Sequence, residues 1–129
     1  MGGQVSGFFG DVPGLIGFIR SGKLKALGIA APVRHPLLPD VPTLDEQGIH
    51  GVESNNWYAL FVPAKTPPAR ISELNAAVRT VLTSEPYRKR IVGSGAEPMP
   101  GTPEQLAALV RSDGVKWGRI VREKKIVGE

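Results

Sequence analysis

Short apolar runs alternate with stretches of helical spacing along this chain, and prolines and glycines stand between them. "QVSGFF" (residues 4–9) has the length and character of a strand and stops at Gly10. Residues 11–22 then predict a helix. Asp11 is the N-cap candidate, Pro13 sits in the first turn, Leu15, Ile16 and Ile19 share a face, and Gly22 closes the segment. "LKALGIAA" (24–31) is a second apolar run, suited to a strand covered on both faces. Strand, helix and strand with short joints predict a βαβ unit, hence a parallel sheet with a right-handed crossover.

The next segment, 32–43, carries four prolines and reads as an ordered loop. Thr43 with Glu46 three residues on has the form of a capping box for a short helix ending near Gly48. "WYALFV" (57–62) predicts a third strand, stopped by Pro63. Thr66 and Pro67 then predict the cap and first position of a helix that runs through Ile71, Leu74, Val78 and Leu82. Ser84 restarts a helix through Tyr87 and Ile91 to Gly93 or Gly95. Residues 102–125 form the clearest element, with a Thr cap, Pro at the first position, Glu and Gln in the first turn and basic residues in the last. Its apolar stripe runs through Leu106, Leu109, Trp117 and Ile120, and Trp117 is expected in the core. Gly114 and Gly118 weaken it, each by about 1 kcal/mol relative to alanine.

Composition narrows the function classes more than it selects one. With 129 residues, 41% hydrophobic and 22% charged, the chain has the make-up of one globular domain. The net charge of +4 is modest, and its basic clusters (88–90 and 119–125) fall on predicted helices without interleaved aromatics, which points away from nucleic acid. The absence of cysteine removes disulfides, thiolate nucleophiles and Cys-bound metals. No apolar run approaches the length of a membrane span, and the first residues lack the basic start and unbroken apolar stretch of a signal peptide.

The sequence also lacks a dinucleotide fingerprint, a Walker A loop, an HExxH motif and a nucleophile elbow. His35 and His50 lie in separate loops with no acid at ligand spacing, so no metal site, catalytic group or cofactor is expected, and an enzyme is not the favoured reading. The one place with recognition physics is "FFGDVPG", where a predicted strand hands over to a predicted helix. Open α/β sheets bind ligands at such joints, because helix N–H groups and the dipole favour anions. A plain βα joint with Asp11 as its cap accounts for the same letters. Asp11 would repel an anion unless it only caps or meets an amine on the ligand.

Three stretches together carry a resemblance. "SGKLKALGIAAPVRHPLLPDVPTLDEQG", "NNWYALFVPAKTPPARISELNAAV" and "GAEPMPGTPEQLAALVRSDGVKWGRIVRE" occur in this order and cover most of the chain. They resemble the substrate-binding proteins of tripartite tricarboxylate transporters, the Bug-type solute receptors. The resemblance implies an α/β architecture, with a small, mainly parallel sheet flanked by helices. This would be a partial lobe of the type II periplasmic-binding-protein kind, followed by C-terminal helices. It implies that residues 1–54 are the later half of a second ligand-binding lobe and 55–66 the interlobe crossover. Residues 67–129 would be helices that pack on a first lobe, which this chain lacks. The implied function is non-covalent binding of a small organic carboxylate (a di- or tricarboxylate or an acidic amino acid) and its delivery to a membrane permease. Phe9, Gly10, Asp11 and Val12 are the implied ligand-facing residues, with Trp57 at the entry to the crossover, where hinge packing is the competing role. The implied compartment is the periplasm, or the cytoplasm if Met1 is the true start. Exposed surface meant for the missing lobe leads to an expected homodimer. A structural, oligomerising module without ligand and an anion-binding lobe of an enzyme are the alternatives.

Overall fold

A computed structural model describes residues 4–127. It divides into two units, residues 1–58 with 89–97 and residues 59–88 with 98–129. Among the described residues four α-helices are formed: α1 (Val12–Arg20), α2 (Pro68–Thr83), α3 (Glu85–Gly93) and α4 (Pro103–Glu123). A 3-10 turn covers Asp45–Gln47.

In the first unit, α1 forms where its caps dictate. Asp11 holds the N-cap position with extended backbone, and Pro13 lies in the first turn. At the other end Gly22 takes φ 71°, Lys23 donates its N–H to the Phe18 carbonyl and Gly22 to the Ile19 carbonyl. That pair of bonds closes the helix as a Schellman motif, with glycine at the left-handed position. The buried face of α1 is centred on Ile16, which with Leu38 makes up the buried large apolar side chains among the described residues of the unit.

The expected strands 4–9, 24–31 and 57–62 are not formed as strands among the described residues. A single parallel bridge, Ile29 to Thr43, joins the middle segment to the loop after it. Ile29 donates to the Pro42 carbonyl and accepts from Leu44, and Ser54 donates to the Ala30 carbonyl. The physical reason is pairing. A strand is held by a neighbour's backbone groups, and these segments have the right side chains but few such neighbours here. Burial in 24–28 alternates with period two, with Leu24, Ala26 and Gly28 more sheltered than Lys25 and Leu27. Leu27 is 71% exposed, so this run is covered on one face only, not on both as expected.

The proline-rich segment is ordered by polar ties. Thr43 accepts at its hydroxyl from the Glu46 N–H, and Glu46 accepts from the Thr43 N–H at 2.8 Å, the reciprocal bonds of the expected capping box. Arg34 donates Nε to the Glu46 carboxylate at 2.9 and 3.1 Å and a further N–H to the Pro39 carbonyl. Arg34 first, and then the Thr43 N–H, hold the Glu46 carboxyl below the usual glutamate range. Gly48 closes the turn in the left-handed conformation.

In the second unit the helices begin close to their predicted starts. α2 starts at Pro68 with Pro67 at the N-cap, one residue later than expected. Thr66 supplies no side-chain cap and instead donates its N–H to the Pro63 carbonyl in a turn. α4 carries the full capping box, in which Thr102 accepts from the Gln105 N–H and Gln105 accepts from the Thr102 N–H. Asn75 of α2 donates to the Gly101 carbonyl just before α4. No residue of α2 or α4 is fully buried, and Trp117 is 40% exposed with the Lys116 ammonium 5.2 Å from its ring centre. Trp117 is therefore a surface residue of this chain, not the core residue its spacing predicted.

Candidate functional site

The joint before α1 is irregular backbone around Gly10. Gly10 lies so close to Phe8 and Leu15 that a β-carbon there would meet each at 2.9 Å, so residue 10 is confined to glycine unless those side chains move. Phe9 is 80% exposed, and Val12 opens the helix half-buried. Beneath it, Gly95 is buried with φ 91°, and a β-carbon there would come within 3.0 Å of Val12. The turn after α3 thus supports the first residue of α1. His35 fastens the same turn. Its Nδ1 accepts from the Leu37 N–H at 3.1 Å, which assigns the proton to Nε2, and that nitrogen donates to the Gly95 carbonyl at 3.1 Å.

Asp11 does not cap α1 with its side chain. Its backbone carbonyl accepts from Gly14, and its carboxylate turns instead to residues 45 and 47 positions later. Asn56 donates Nδ2 to Asp11 Oδ2 at 2.8 Å, and Tyr58 donates its hydroxyl to the same oxygen at 3.3 Å. Trp57 stands between these two residues in sequence and is half-buried. Of the five candidates, Phe9, Gly10, Asp11 and Val12 are contiguous, and the flanks of Trp57 reach the third of them. Asn56 and Tyr58 escaped the sequence reading. Their only local signal was the polar–aromatic alternation of "NNWY", which places 56 and 58 on one side of an extended segment and 57 on the other.

Two concavities lie apart from these residues. An open groove of about 560 Å³ runs between α2 and the start of α4, lined by Asn75, Arg79, Thr80 and Thr102 among others, and is a polar helix–helix furrow. A smaller one of about 140 Å³ lies beside Asp45, Ile49 and Glu53. Among the described residues no three His, Asp or Glu lie close enough to hold a metal ion, and no helix is long and apolar enough to cross a membrane.

The sequence matches the tripartite tricarboxylate transporter family receptor over residues 1–126. The chain belongs to that receptor family. Within it, the chain is 32% identical over 123 residues to the protein BugT of Bordetella pertussis, a stretch that is 95% of this chain and 38% of BugT. A UPF0065 protein encoded between clcB and clcD in Pseudomonas knackmussii is 29% identical over 92% of this chain and 71% of its own length. Among solved structures, this receptor-family chain is similar to R. palustris Rpa4515 with adipate. The TM-score is 0.79 at 26% identity, over 86% of this chain and 37% of that one. The likeness assigns the chain to the α/β class. The chain thus spans less than two-fifths of BugT and of the R. palustris protein.

Proposed function

We propose that this chain forms the later part of a solute-binding receptor that holds a small organic carboxylate by non-covalent contacts, without chemistry. The observation that carries the reading is the likeness, at a TM-score of 0.79, to a receptor structure determined with adipate, a dicarboxylate. Family membership agrees with it. In this reading residues 1–54 belong to the second ligand-binding lobe, 55–66 cross between lobes, and 67–129 are helices that pack on the first. Segments 4–9, 24–31 and 57–62 become strands of a mainly parallel sheet once neighbours pair with them. The ligand faces Phe9, Gly10, Asp11 and Val12, where backbone N–H groups at the start of α1 suit a carboxylate. Trp57 lines the entry to the crossover. Di- and tricarboxylates and acidic amino acids are the candidate solutes, the compartment is the periplasm, and a membrane permease receives the solute.

A nuclear magnetic resonance titration of the chain with adipate, citrate and L-glutamate tests this reading. At least one of them is expected to move the backbone amide signals of residues 9–12 in a saturable way. If all three leave those signals in place up to millimolar concentration, the site assignment fails.

A further inference from the structure

The carboxylate of Asp11 poses a question that its N-cap position sharpens. An aspartate there ordinarily accepts from the N–H groups of the first helical turn. Here its side chain makes no such bond, and Oδ2 is instead held by Asn56 at 2.8 Å and Tyr58 at 3.3 Å. The two donors also approach each other, with Asn56 Nδ2 at 3.5 Å from the Tyr58 oxygen, so three side chains form one small triangle. Tyr58 is 86% exposed, so packing does little to place its ring and the hydroxyl contact is its main tie.

We infer that Asn56 and Tyr58 are positioning residues. They hold the Asp11 carboxylate off the start of α1 and so tie the joint at residues 9–12 to the segment through which the chain leaves the first unit. Three consequences follow from the geometry. The first-turn N–H groups of α1 are not consumed by the aspartate side chain. The charge of Asp11 is fixed on the side of residues 56–58. A shift of segment 56–58 is transmitted to the joint through a charge-assisted hydrogen bond, which is shorter and stronger than a neutral one. The inference deepens the reading of residues 9–12 as ligand-facing and rests on it for its functional meaning, although the tie itself exists without ligand.

The test is made on the unliganded full chain by following the side-chain amide signals of Asn56. In the wild type these signals are expected to carry the imprint of the Asp11 carboxylate that Asn56 donates to, and Asp11→Asn, which keeps the shape and removes the charge, is expected to shift them. Asn56→Ala and Tyr58→Phe are each expected to displace the backbone amides of Gly10, Asp11 and Val12, far away in sequence. Asn56→Gln, which keeps a donor, restores part of the wild-type pattern. Tyr58→Phe removes a single exposed hydroxyl, so the test does not depend on a variant that fails to fold. Asn56 signals indifferent to Asp11→Asn, or residues 10–12 unmoved by both changes at the other end, overturn the inference. Adding adipate afterwards keeps the two ideas apart. If the unliganded results hold and adipate moves nothing, the positioning stands and the ligand reading falls.

Discussion

His35 shows how a residue without catalytic company can still organise its surroundings. Both ring nitrogens are used within the first unit, one accepting from Leu37 and the other donating to Gly95, the glycine that supports Val12. His35→Ala is therefore expected to lower stability by about 1–3 kcal/mol, because two partners lose their bonds in a half-buried place. Urea denaturation measures this, and an unchanged midpoint would show that water replaces the ring without cost. Glu46 makes a second residue-scale prediction, with a sign that follows from its partners. Arg34 and the Thr43 N–H lower its pKa in the folded chain. A lowered folded value means that its contribution is fully present above the unfolded pKa and disappears as pH falls through the folded one. Stability should thus decline below about pH 4.5, the ordinary glutamate value, and Glu46→Gln should flatten that part of the curve. Neither residue announced these roles in the sequence equally. The Thr43–Glu46 spacing is local and legible, whereas the partner of His35 lies 60 residues away.

Helices were legible for the same reason that the strands were not. The Thr102 capping box, the Gly22 closure and the Asp45–Gln47 turn each depend on residues within about one helical turn, so their letters suffice. Segments 4–9, 24–31 and 57–62 have strand-like composition, but a strand is completed by a neighbour that no local pattern supplies. Asp11 falls between the two cases. Its N-cap position was readable, and the redirection of its carboxylate to Asn56 was not. At this scale α4 offers a clean trial of propensity. Gly114 is exposed in the helix interior with open space where a β-carbon would stand, so Gly114→Ala should stabilise the chain by about 1 kcal/mol. Thermal unfolding followed by circular dichroism should record a higher midpoint. A lower one would mean that α4 needs the flexibility or the bare surface of that glycine.

The area of the whole molecule argues for a second copy. Its accessible surface is 10452 Å². Two compact bodies, each of half the 13.8 kDa mass, would together expose only about 8,000 Å² by the scaling of folded monomers. The excess, about 2,500 Å², is larger than the roughly 800 Å² that each partner buries in a standard stable interface. Exposed apolar side chains contribute to it. Phe9, Leu27, Tyr58, Leu60 and Phe61 are all more than 60% exposed. Exposed apolar surface of this kind is where chains associate. A homodimer that covers Tyr58, Leu60 and Phe61 is therefore expected at high concentration. Light scattering should show a mass that rises with concentration towards twice that of the monomer. Leu60→Lys, which places a charge in the middle of the run without touching any helix, should shift the midpoint of that rise to higher concentration. A strictly monomeric wild type would refute the dimer and leave the exposed segments for another partner. A dimer indifferent to Leu60→Lys would move the interface elsewhere, with the half-bare stripe of α4 around Trp117 and Val121 the next surface to mutate.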